Sequence, residues 1–213
     1  MIQNMLDAGV HFGHRIQRWN PAMAPYIYGH KNGIHIIDIL QTARCLRTAC
    51  DFLADSSQRR ILFVGTKRSA AYLVELAAEG CGSSAHFINH RWLGGFLTNW
   101  ETMRGCIYRL NTLQPDLATN KKERLQLMKQ QARLDKFFRG VKDMRSKPEI
   151  LVIVGQVEEL SAVKESCKLG IPNITLVDTD CNPQLATYPI PGNDDSVRSI
   201  QFVLSTLVQA RNS

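Results

Sequence analysis

The chain has 213 residues, 44% of them hydrophobic and 21% charged, with a formal net charge of +7. That suits one sizeable domain with an appendage, and the longest apolar runs, at 61–64 and 150–154, fall far short of the roughly 18 residues a membrane-spanning helix needs. Six scattered cysteines without a C-x-x-C pair read as reduced thiols of an interior compartment, not as a disulfide framework or a cysteine zinc site.

The opening MIQNMLDAG has neither the basic lead and apolar stretch of a secretory signal nor the composition of a transit peptide. Gly, Pro and His then punctuate the chain as far as a strand hairpin, with Tyr26 to Tyr28 and Ile34 to Ile37 flanking an Asn32-Gly33 turn. From its second arm onward, short apolar strands at 34–38, 61–65, 86–89, 150–155 and 174–178 alternate with amphipathic helices at 39–54, 69–79, 158–168 and 196–210. Such alternation predicts an α/β fold, an open parallel sheet with helices on both faces. Gly80 and Gly170 stand where C-terminal helix caps are expected. The expected organisation is an α/β core over 1–102 and 148–213, its first 38 residues forming the extension and hairpin, with a basic helical hairpin inserted at 103–147.

That insert carries apolar stripes at Met103, Ile107 and Leu110, then at Leu127, Leu134, Phe138 and Val141, which predict two helices packed along their seams. They join near 114–120, where Pro115 breaks the first, and Asn120 with Glu123 resembles a capping box opening the second. Between Arg104 and Lys147 twelve Lys and Arg face four acids, whereas the rest of the chain holds fourteen against fifteen. All of the positive excess therefore sits here. It reads either as an electrostatic footprint for a polyanion, with Lys121, Lys122 and Arg124 at its far end, or as a solvated helix face with i,i+4 pairs.

Chemistry-bearing residues cluster in three places. NHRWLGGFLTNW at 89–100 spends two tryptophans, an arginine and two glycines directly after a strand, as a contact surface would, although Trp92 equally suits a core anchor. Lys67 and Arg68 follow a strand and open a helix, where α/β proteins meet phosphates; neither GxxxxGK[ST] nor GxGxxG is present. His14, Asp178, Asp194 and Asp195 would meet along the edge where parallel strands end. There they could hold a divalent cation, or Asp194 and Asp195 could serve the final helix as capping and dipole-facing acids. The sequence shows no catalytic constellation, and Glu158-Glu159 reads as a helix first turn.

Six stretches bind these readings together: LDAGVHFGHRIQRWNPAMAPYIYGHKNGIHIID, ILFVGTKRSAA, NHRWLGGFLTNWETM, FFRGVKDM, LGIPNITLVDTDCNP and PIPGNDDSVRSI. In this order, and over essentially the whole chain, they resemble the bacterial and organellar family of small-subunit ribosomal protein two. The resemblance implies a flavodoxin-like sheet with a protruding helical hairpin, no catalysis and no required cofactor. It also implies binding of small-subunit rRNA where head and body meet, beside neighbouring small-subunit proteins, with support for the large messenger-capturing ribosomal protein. Within the matched motifs, contact roles carry over to Arg15, Arg18, Trp19, Asn20, Lys31, Arg91, Trp92, Asn99 and Arg104. The chain departs from the family at Gly155-Gln156-Val157, where an Asp-containing turn is usual, at 180–184, and in a shorter hairpin without the usual Leu-Pro-Lys-Lys segment. TARCLRTACDFL, FVGTKRSAA and FLTNW resemble cyanobacterial and plastid members, which implies a chloroplast ribosome, with a mitochondrial ribosome as the other option. A flavodoxin-like nucleotide-binding protein or enzyme is the competing functional class.

Overall fold

The structure, a computed structural model, describes residues 1–114 and 120–213. Pro115 and most of the expected 114–120 junction lie outside the described residues. A short helix α1 (Ile2–Asp7) leads into β1 (Phe12–Arg15), a 3-10 segment (Pro21–Tyr26), β2 (Ile27–Lys31) and β3 (Ile34–Ile37). These three strands form an antiparallel sheet in the order β1-β3-β2. Asn32 and Gly33 both take positive φ, 52° and 77°, the twist a two-residue hairpin turn requires.

The core follows as α2 (Ile39–Asp55), β4 (Ile61–Val64), α3 (Ala71–Gly80), β5 (Ala85–Ile88), α4 (Trp100–Thr112), α5 (Lys121–Phe138), β6 (Ile150–Val154), α6 (Leu160–Leu169), β7 (Asn173–Val177), β8 (Tyr188–Pro191) and α7 (Val197–Asn212). Its five strands are all parallel, in the order β5-β4-β6-β7-β8. This is the flavodoxin-like order, with its topological switch between β4 and β6.

Strand alternation divides the core into two layers. Ile61, Phe63, Ile150, Val152, Ile174 and Leu176 pack under α2, α3 and α7. Leu62, Val64, Leu151 and Ile153 face the other way, toward Trp92, Phe96, Trp100, the inner faces of α4 and α6, and Phe138, Val141 and Met144. The base of the helical hairpin is therefore built into the second layer, while its far part stands off: residues 121–126 are all exposed.

One of the two expected glycine caps differs from expectation. Helix α3 runs through Gly80, and the left-handed residue is Gly82 (φ 78°), because the turn into β5 comes two residues later. Gly170 (φ 66°) caps α6 as expected. Among the described residues no helix is long and apolar enough to cross a membrane.

Candidate functional site

The exposed positive charge is concentrated on α4, α5 and the segment that follows. Eleven of the twelve Lys and Arg between Arg104 and Lys147 are exposed, Lys147 being the half-buried one. Arg104 reaches Glu101 at 2.6 Å, and Arg139 reaches Glu75 at 2.8 Å. Surface pairs of this kind contribute little and exchange readily with solvent or a ligand. Asn120 opens α5 by accepting from the Lys122 amide at 3.0 Å.

On the three-stranded sheet, Arg15, Arg18 and Lys31 are exposed, and Trp19 is 41% exposed beside His35. Arg18 holds Asp180 at 2.8 Å. Asn20 spends its side-chain oxygen on the Ala22 amide, capping the 3-10 segment.

The 89–100 stretch separates into two roles. Arg91 and Asn99 are exposed, Asn99 accepting from the Thr102 hydroxyl at 2.8 Å. Trp92 and Trp100 are buried and form an aromatic row with Phe96, with centroids 5.1 and 6.0 Å apart. Stacking on an unpaired base needs an open ring face, which Trp19 offers and Trp92 does not. Trp92 anchors the loop, its indole N–H donating to Glu165 at 3.0 Å.

At the carboxyl ends of the strands, His14, Asp178, Asp194 and Asp195 do converge. His14 Nδ1 lies 3.1 Å from Asp178, as an ion pair, and its Nε2 lies 3.5 Å from Asp195 and 3.8 Å from Asp180. Ligand atoms of His14, Asp178 and Asp194 lie within 4.8 Å of one another. Lys67 enters the same cluster, its Nζ at 2.6 Å from Asp194, 3.0 Å from Asp195 and 3.6 Å from Glu158. Its ammonium thus faces carboxylates, while neighbouring Arg68 is exposed beside an open depression of about 630 Å³.

Charge sets the proton balance there. The Asp178 carboxylate raises the His14 pKa to about 9 against the pull of burial. Burial and Asp178 push Asp194 up to about 7, although Lys67 pulls it down. Burial alone would lower Lys67, but Asp194 and Asp195 raise it. The expected capping use of Asp194 and Asp195 is not made: Asn193 accepts from the Asp195 and Ser196 amides instead, leaving the acids turned toward Lys67 and His14.

Gln156, at the departure from the family pattern, is buried and clamps the loop after β7. It accepts from the Asn182 amide at 2.6 Å and donates to the Asn182 carbonyl at 2.9 Å. Nearby, Glu159 is buried, which raises its pKa although the Thr66 amide donates to it at 2.8 Å and opposes the shift. Glu165, Asp180 and Gln156 carry much of this geometry without having been singled out as site residues. Their partners are mostly backbone groups or, for Asp180, the distant bases His14 and Arg18, which no local spacing encodes.

A model of the family "Ribosomal protein S2" matches residues 5–213. The chain belongs to this family. It is 46% identical to the small ribosomal subunit protein uS2c of Mesostigma viride, over 98% of this chain and 94% of that protein. It is likewise 46% identical to protein uS2 of Rippkaea orientalis, over 98% and 80%, and 47% identical to uS2c of Ostreococcus tauri, over 98% and 94%. As a ribosomal protein S2 family member it is a structural component of the small subunit in translation, not an enzyme. Its likeness to the uS2c proteins of algae and to cyanobacterial uS2 makes it a plastid-type member.

Proposed function

We propose that the chain binds small-subunit rRNA near the junction of head and body in the chloroplast ribosome. Neighbouring small-subunit proteins lie beside it, and it supports docking of the large messenger-capturing ribosomal protein. The observation that carries this reading is the outward-facing charge of 104–147, eleven exposed cations on α4, α5 and the segment that follows. Lys and Arg on phosphates supply affinity. Arg15, Arg18, Lys31, Arg68, Arg91, Arg104, Lys121, Lys122 and Arg124 are the proposed phosphate contacts, and Trp19 with Asn20 and Asn99 the proposed contacts to bases and sugars. Lys67 and Trp92 belong to the scaffold beneath them. A structure of the assembled plastid small subunit tests this: the 104–147 cations should face rRNA or protein neighbours, and cations pointing into solvent would overturn it.

In the same reading the His14 cluster is an internal lock, in which Lys67 and His14 neutralise the acids without a required cofactor. The Asp194 Oδ2 atom has no hydrogen-bond partner among the described residues, and this favours a second reading: a divalent cation held by His14, Asp178, Asp194 and Asp195. Titration with Zn²⁺ or Mg²⁺ separates them. An unchanged melting temperature is expected for the lock, and a saturable rise would establish the cation.

A further inference from the structure

Helix α6 sends one carboxylate into the loop that leads to the basic hairpin. Oε1 of Glu165 accepts from the Trp92 indole N–H at 3.0 Å and the Gly95 amide at 2.8 Å. Its Oε2 accepts from the amides of Leu97 and Thr98, at 2.9 and 3.0 Å, and from the Thr98 hydroxyl at 3.3 Å. Three backbone N–H groups converging on one point make an anion-binding nest, and the positive φ of Gly95, 85°, belongs to that backbone shape. Burial alone would raise the Glu165 pKa, but these donors hold it below the ordinary range, so the nest contains an anion at neutral pH.

The position of this bond set gives it a consequence beyond the loop. Thr98 is followed by Asn99, the N-cap of α4, and α4 carries Arg104 and Arg109 outward. Packing of Trp92, Phe96 and Trp100 supplies cohesion that is largely non-directional, whereas hydrogen bonds to a fixed carboxylate are directional.

We infer that Glu165 is a positioning residue for RNA binding: it fills the amide nest of the 95–98 loop and thereby aims Arg91 and the basic hairpin at the phosphate backbone. The inference rests on the RNA-binding reading above. It treats the nest as an internal joint, already satisfied, and not as a phosphate site.

The test measures binding of the full chain to plastid small-subunit rRNA over a range of salt, for wild type, Glu165→Gln, Val163→Ala and Trp92→Phe. Glutamine places an amide NH₂ against backbone and indole N–H groups, which can only donate, and Val163→Ala trims a buried contact on the same helix. Glu165→Gln should lose about tenfold or more in affinity, with a shallower dependence of log K on log salt as phosphate contacts disengage. Val163→Ala should melt earlier and keep the wild-type salt slope. Trp92→Phe removes one donor and keeps an aromatic ring in the core, so a smaller loss in the same direction is expected even if Glu165→Gln does not fold. Wild-type affinity and slope in both Glu165→Gln and Trp92→Phe would overturn the inference, as would affinity losses that merely track melting temperature in all variants. Failure of the wild type itself to bind RNA would sink the RNA-binding reading first, and the inference with it.

Discussion

Gly140 has no room for a side chain. A Cβ there would collide with the Phe87 carbonyl oxygen and ring, where the segment after α5 crosses the edge strand. Gly140→Ala should therefore overpack this junction and cost about 1–3 kcal/mol, read by urea denaturation; an unchanged midpoint would show that the backbone gives way. His14 makes a pH prediction. Its pKa rises from 6.5 to about 9 on folding, so the folded state binds the proton more tightly than the unfolded one. Its contribution is full below pH 6.5 and fades as pH rises through 9. The melting-temperature gap between wild type and His14→Gln should narrow over that window, and a constant gap would mean that His14 does not titrate there. His14 reaches the acids from β1 of the antiparallel sheet; the meeting of Asp178, Asp194 and Asp195 was legible because parallel strands end along one edge. Glu165 was not, because its partners are amides of residues about seventy positions away, and an amide has no sequence signature.

At the scale of elements, continuous apolar runs identified β4, β6 and β7 to within a residue, since a strand buried on both faces has no polar alternation to blur it. Strand β8 escaped because Pro189 and Pro191 argue against a strand; as an edge strand paired only with β7, it tolerates them. Helix α5 is periodic along its length, but it buries only its last turns: Leu127 and Leu134 are half-buried, whereas Phe138 is buried. Few tertiary contacts mean low local opening free energies. Amides of 121–133 should exchange with deuterium well before those of α7, whose Ile200, Val203, Leu204 and Leu207 are buried. Equal protection of the two helices would show that the far part of the hairpin is braced by something beyond this packing.

The whole molecule joins a well-packed α/β body to a charged helical hairpin, whose excess of Lys and Arg and whose apolar stripes are both readable in the sequence. The sequence could not show that the base of the hairpin is part of the second core layer, because Ile107, Leu110 and Phe138 meet Leu62 and Leu151 only in three dimensions. Affinity for RNA should therefore separate from stability. Phe63→Ala, in the opposite layer, should cost about 3–5 kcal/mol of stability and leave the binding of the remaining folded protein unchanged. The most direct measurement is the salt dependence of binding to plastid small-subunit rRNA, comparing wild type with a variant in which Lys121, Lys122, Lys129 and Arg133 are glutamine. A phosphate-binding hairpin predicts a steep loss of wild-type affinity with salt, and a variant slope shallower by about 0.7–0.9 for each phosphate contact removed. The same affinity and the same slope for both proteins would contradict it.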